Sequence, residues 1–273
     1  GEEMGEAGTL ACLERGYRAD LALIPEPTNL VIQGQGGVIT GWITIQSPQT
    51  YHDAQRSAMI HAGGGLFAAS AIEKMMKIIQ GLQELERHWA VTKSYPGFAP
   101  GTTTINPAYI EGGRHPAYVA DCCRLWITVH FYPGEHHQEI AREVEEHVLR
   151  VAAADPWLRD NPPKFRWGGR SMNEDEGEIF PSAPLPREHP GIAALAEAHE
   201  AVTGQVARFG MSRSVSDVGW LADAGIPCAT YGPGDISQAH AIDESVSEDA
   251  LLTVSRVLAR LALNWCSRRR ADV

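Results

Sequence analysis

The chain has 273 residues, 44% hydrophobic and 21% charged, which is enough for one large or two modest domains with a core of their own. Its 34 acidic residues outnumber 23 basic ones, for a formal net charge of -11. That balance excludes the basic footprint demanded by a nucleic-acid scaffold or an anionic membrane surface. No apolar run reaches the ~18 residues of a membrane span.

Gly1, Glu2, Glu3 and Met4 open the chain without the basic start and apolar stretch of a signal peptide. Residues 8–16 predict a short helix ended by Gly16, and Asp20 to Ile24 a buried strand stopped by Pro25, Glu26 and Pro27. A Gly-rich stretch, 33–37, precedes a half-buried strand over Val38 to Gln46. Ala68 to Trp89 reads as a helix with Ile72, Met75, Met76, Ile79 and Leu82 on one stripe. Strands follow at Thr102 to Glu111 and Arg124 to Phe131. Next come a helix over His136 to Ala154, with Ile140, Val144, Val148 and Val151 at helical spacing, and a last strand at Lys164 to Trp167. This β-α-β-β-α-β order is the ferredoxin-like arrangement.

The Pro-rich segment 180–186 marks a boundary. Beyond it the pattern predicts helices over Pro190 to Val202, Ser214 to Ala224 and Ser247 to Trp265. A strand over Pro227 to Tyr231 runs into Gly232, Pro233 and Gly234. Both flanks read as pieces of one α/β layer. The expected architecture is an α/β domain (1–34 and 176–273) interrupted by an α+β ferredoxin-like block (35–175). The five cysteines, Cys12, Cys122, Cys123, Cys228 and Cys266, lack metal-finger spacing and suit thiols in a reducing, cytoplasmic compartment.

Four local features carry chemistry. Glu2 and Glu3 set two carboxylates side by side before a helix, so one needs a cation or a proton. Glu26 follows a buried strand, at the kind of edge where α/β sheets place ligands. His240 lies beyond another strand, and His52 stands near a turn with His61 nine residues on. There is no phosphate-binding glycine fingerprint and no nucleophile elbow. Three glutamates and a histidine at strand-loop edges are a donor set that suits zinc.

In combination, Glu2-Glu3 with Gly5 and Gly8, Glu26-Pro27-Thr28, His61 with Gly63 to Gly65, Gly232-Pro233-Gly234 and His240 with Asp243-Glu244 occur in an order that resembles one group across nearly the whole chain. That group is the acetylornithine deacetylase, succinyl-diaminopimelate desuccinylase and carboxypeptidase G family of dinuclear zinc hydrolases. The resemblance implies a catalytic α/β domain interrupted by a ferredoxin-like lid that forms a homodimer. It makes Glu2 the general base, and Glu3 and His240 ligands of one metal. Glu26 becomes a ligand of the other, and His52 the lid histidine that reaches the scissile carbonyl. Two zincs are implied, with cobalt or manganese as substitutes.

The sequence also departs from the family. The histidine and bridging aspartate that relatives carry upstream of the Glu-Glu pair have no counterpart here. The chain is therefore expected to be the C-terminal portion of a longer enzyme, inactive alone and completed by an N-terminal segment or companion chain. The relatives' substrate-carboxylate clamp is also missing, because Val218, Gly219 and Trp220 follow Asp217; Arg213 could substitute. The expected function is hydrolysis of a small N-acyl amine or N-acyl amino acid. An N-formyl or N-acyl heterocyclic amine is the alternative substrate, and a non-catalytic dimerising or small-molecule-binding remnant the competing reading.

Overall fold

The computed structural model describes residues 7–169 and 176–268, the side chains of Ala7 and His61 excepted. In chain order the first elements are α1 (Ala7–Glu14), β1 (Ala22–Ile24), β2 (Val31–Gln35), β3 (Gly37–Gln46) and β4 (Tyr51–His52). They are followed by α2 (Ala71–Thr92), β5 (Ile105–Gly112), β6 (Tyr118–Val119), β7 (Cys122–Phe131), α3 (His137–Ala153), α4 (Pro156–Asp160) and β8 (Lys164–Trp167). The last group is β9 (Ile179–Phe180), α5 (Pro190–Thr203), β10 (Arg208–Ser212), α6 (Val218–Asp223), β11 (Cys228–Thr230) and α7 (Glu248–Cys266).

Strands from both flanks interleave in one sheet of order β1-β11-β2-β10. β1 runs parallel to β11 and β2 parallel to β10, while β11 meets β2 antiparallel. Side chains alternate across this sheet. Ile32, Ala229 and Tyr231 pack under α5 and α7 with Leu195, Val257 and Leu261. On the other face, Ala22 joins Leu13 of α1 and Trp220 of α6, and Cys228 packs on Val218. Two strands here, β2 and β10, were not among the expected elements. Gly34, Gln33 and Gln35 disguise β2, whose buried Gln35 is satisfied by Pro181 O and Ser216 rather than by apolar neighbours.

The second sheet, β5-β7-β3-β8, is antiparallel with the ferredoxin-like order, and β9 adds to β3. Ile39, Ile43, Leu125, Ile127 and Val129 face α2 and α3. α2 is N-capped by Ser70, whose hydroxyl accepts from Glu73 N. Its inward face is Met75, Ile78, Leu82, Leu85 and Trp89, while Ile72 and Met76 are exposed. The expected stripe is thus rotated. The ladder that fits between the sheet and α3 is the longer one ending at Trp89, whose indole N–H donates to Glu143 Oε1 at 2.6 Å. The expected helix over Ser214 to Ala224 shortens to α6, because Ser216 turns inward to donate to Gln35 Oε1 at 2.9 Å. All five cysteines are free thiols.

Candidate active site

β1 and β11 are parallel, so both chains leave the sheet at the same end, and the segments that follow are locked together. Glu26, half-buried, comes two residues after β1, and its N–H donates to Ile24 O at 2.9 Å. Thr28 is 6% exposed. Its hydroxyl accepts from Gly232 N at 3.0 Å and donates to Gly232 O at 3.4 Å. Asn29 N donates to Gly234 O at 2.7 Å and Leu30 N to Gly232 O at 3.1 Å. Asn29 and Leu30 have φ of 50° and 60°, a left-handed pair that costs ~1–2 kcal/mol per residue and persists only where neighbours enforce it. Gly232 is required by close approach, since a Cβ there would stand 2.3 Å from Glu26 O.

The chain then passes Asp235, whose carboxylate accepts from Ser237 N at 2.8 Å, a bond that holds its pKa below the usual range. It reaches His240, exposed and also left-handed at φ 60°, whose N–H donates to Glu244 Oε2 at 3.3 Å. Below the loop, Tyr231 OH and His199 Nδ1 are 2.8 Å apart in the core; burial pushes the phenol up to about 12 and the imidazole down. Arg213 is exposed on the wall of a cleft of about 290 Å³ that Pro27, Thr28, Asn29 and Asp235 also line. The structure therefore brings the Glu26 loop, the approach to His240 and Arg213 to one end of the sheet.

His52 stands apart on the β4–β6 ribbon, exposed. Its Nδ1 caps the following turn by accepting from Ala54 N at 3.2 Å, and lies 2.9 Å from Asp53 Oδ1. Nδ1 cannot accept from Ala54 N and donate to Asp53 at once; when it accepts, the neutral ring carries its proton on Nε2, which is then a donor. Glu2 and Glu3 lie outside the described residues.

Glu26 and His240 are a carboxylate and an imidazole, donors of the right chemistry for a borderline divalent ion. Among the described residues no three His, Cys, Asp or Glu side chains gather into a metal-holding group. The described donors fit in kind and do not by themselves complete a site.

Asp217, read from the sequence only as the start of an altered clamp, is 8% exposed. Its Oδ2 accepts from Thr9 Oγ1 of α1, and its Oδ1 is buried without a partner. A serine-rich loop gives no signal that an aspartate within it is buried.

Residues 56–156 match the peptidase dimerisation domain family. The N-formyl-4-amino-5-aminomethyl-2-methylpyrimidine deformylase of Bacillus subtilis (strain 168) is 58% identical over 270 residues, 99% of this chain and 63% of that protein. An acetylornithine deacetylase of Vibrio parahaemolyticus is 25% identical over 251 residues, covering 92% of this chain and 59% of that protein. Among solved structures, a dinuclear metal binding peptidase from the M20 family of Bacillus subtilis superposes with a TM-score of 0.60 at 19% identity, over 97% of this chain and 62% of that one. The chain spans less than two thirds of the length of these curated relatives. No helix among the described residues is long and apolar enough to cross a membrane.

Proposed function

We propose, from the premise that this chain belongs with the M20 peptidases in fold and in its dimerisation domain, that it forms the lid and part of the catalytic domain of an N-formyl heterocyclic amine deacylase. The observation that carries this reading is the 58% identity to formyl-aminopyrimidine deformylases; identity to acetylornithine deacetylases is 25%. The first expectation, a small N-acyl amine or N-acyl amino acid cleaved in the manner of acetylornithine deacetylases, is therefore less well supported than its N-formyl heterocyclic amine alternative. Residues 1–34 and 176–273 would form the catalytic part and 35–175 the lid, which pairs with a second copy; β9, at the start of the second catalytic segment, adds to the lid sheet through β3.

In the proposed reaction, water adds to the formyl carbon, the C–N bond breaks, and formate and the free amine leave. Glu2 takes the proton of water and hands it to the departing nitrogen. Glu3, Glu26 and His240 would hold the metal, with the Thr28–Gly232 lock keeping the last two segments in register. When bound, a divalent metal such as zinc supplies Lewis acidity and a more acidic water. His52 would donate its Nε2–H to the oxyanion across the dimer. A formylated aminopyrimidine brings no carboxylate, which agrees with the missing clamp; Arg213 would donate to ring nitrogens from the cleft wall.

The test is a chimera in which this chain replaces the matched 270 residues of the Bacillus subtilis deformylase. Elemental analysis and formate release are both read. The reading expects about two metals per chain, chelator-sensitive release, and a fall in metal content on Glu26→Gln and on His240→Ala. Chelator-indifferent release, or full metal content in both variants, would overturn it.

A further inference from the structure

We propose that Gln33 reads the heterocycle of the substrate. Its carboxamide pairs, donor to acceptor and acceptor to donor, with the N=C–NH2 edge of an aminopyrimidine seated in the cleft beside the Glu26 loop. This deepens the deformylase reading and rests on it.

β2 is an inner strand, flanked by β11 and β10, so glutamines in it call for a reason. Alternation puts Val31, Gln33 and Gln35 on one face, opposite Ile32 and its packing under α5 and α7. Gln35 is fully buried and spent inside the protein. Its Nε2 donates to Pro181 O at 3.2 Å and to Ser216 O at 3.1 Å, and its Oε1 accepts from Ser216 Oγ at 2.9 Å. Gln33, on the same face, is half-buried, and among the described residues its carboxamide has no hydrogen-bond partner. Its backbone is nevertheless held from both sides. Gln33 O accepts from Thr230 Oγ1 at 3.2 Å, and Gly210 of β10 is its parallel register partner. Gly210 has no side chain to cover the amide; a Cβ there would stand 3.7 Å from Gln33 Nε2. The side chain is fixed at its root and its polar end is unspent.

Gln33 lines the cleft of about 290 Å³ at the end of the first sheet, with Pro27, Met211 and Ile236 as its apolar wall. Pro27 follows Glu26 directly, which places the cleft beside the proposed metal ligand. Apolar walls with a few fixed polar groups are what a small planar ligand needs. A primary amide offers an acceptor and a donor side by side in one plane. A 4-aminopyrimidine offers the complement, a ring nitrogen next to an exocyclic amine, which is how glutamine and asparagine read adenine. Asp235, also in the cleft, has its carboxylate engaged by Ser237 N. Gln33 therefore takes the N=C–NH2 edge and leaves the second ring nitrogen to Arg213. An amino acid head group, with a carboxylate and an ammonium, would leave half of the amide unmatched at either charge.

The test is a calorimetric titration of the metal-loaded chimera with two probes. One is 4-amino-5-aminomethyl-2-methylpyrimidine, and the other is benzylamine, which keeps the aminomethyl arm and lacks the N=C–NH2 edge. The wild-type chimera should bind the aminopyrimidine about tenfold to 100-fold more tightly than benzylamine, the margin of one bidentate pair. Gln33→Met keeps the length and removes the amide, so it should lose that margin and hold benzylamine within about twofold of wild type. Gln33→Glu keeps the shape and turns the donor into an acceptor. It should prefer the ring-protonated amine, with an affinity that rises as pH is lowered while that of wild type does not. This second variant keeps the test decisive should the methionine variant misfold. No preference for the aminopyrimidine in wild type, equal weakening of both probes in Gln33→Met, unchanged affinities in that variant, or a flat pH response in Gln33→Glu would each overturn the proposal. Formate release is measured alongside. Release together with Gln33-independent binding would overturn this proposal alone, whereas Gln33-dependent binding without release would overturn the deformylase reading alone.

Discussion

Replacing Thr28 by Val tests whether the two segments at the end of the first sheet are held by one buried hydroxyl. Valine matches threonine in shape but removes the hydrogen-bond partner that, among the described residues, accepts from Gly232 N–H, 3.0 Å away in a site where Thr28 is 6% exposed. An orphaned buried donor costs ~1–3 kcal/mol. For the α/β domain, a 2 kcal/mol loss corresponds to a fall in Tm of about 4–8 °C. Thr28→Ser keeps the hydroxyl and gives up one methyl, so it should lose about 1 kcal/mol or less. Gly232→Ala attacks the same contact from the other side, since its Cβ would stand 2.3 Å from Glu26 O and the backbone would have to part. Thermal melts of the three variants, with hydrogen exchange at Leu30 and Gly232, provide the readout. Equal losses in Thr28→Ser and Thr28→Val, or a Thr28→Val melt within about half a degree of wild type, would refute the lock.

Asp155 is buried and bonded to Lys74 and Lys77, while its carboxylate also accepts from Trp157 N and Leu158 N. Burial would raise its pKa, but the lysine bonds outweigh it and hold the carboxyl far below the usual range. Its stabilisation is therefore complete above the unfolded pKa of about 3.9 and fades as pH falls below it; Asp155→Asn should cost ~3–5 kcal/mol at neutral pH and flatten that acid limb in urea titrations. His130, His137 and His199 are pushed down chiefly by burial, so the unfolded chain takes up protons first. Stability should be full above about pH 6.5 and decline below it, and His130→Gln should reduce that slope. In the chimera, His52→Ala should lower kcat for formate release about 10²-fold with little change in KM, the pattern of a group acting in the transition state. A larger loss from His61→Ala in the same series would move the role to that residue.

The ferredoxin-like block was legible because its period is regular. β7 alternates along its whole length and β3 over its second half, and Ile140, Val144 and Val148 fall on the buried face of α3. In α2, apolar residues occupy more than one face, so sequence spacing alone picked Ile72 and Met76 over Ile78 and Trp89. The first sheet was harder to read. β2 carries glycine and two glutamines, and β10 is half-buried with an arginine and a glycine in five residues. Glu26 and the glycine-flanked turn near His240 were legible as strand-end loops, because Pro25, Pro27 and Pro233 punctuate them. What ties them, the Thr28 hydroxyl on the Gly232 backbone, depends on two segments some 200 residues apart meeting in parallel strands. No local pattern encodes that meeting, and the same is true of Thr9 and Asp217.

The measurement that bears most directly on the account is a substrate competition in the chimera, with N-formyl-4-amino-5-aminomethyl-2-methylpyrimidine and N-acetylornithine offered together while formate and acetate are quantified. Formate release is expected at a kcat/KM at least about 100-fold above acetate release, lost on metal removal and on Glu26→Gln. Preferential acetate release, or formate release that survives Glu26→Gln unchanged, would contradict it.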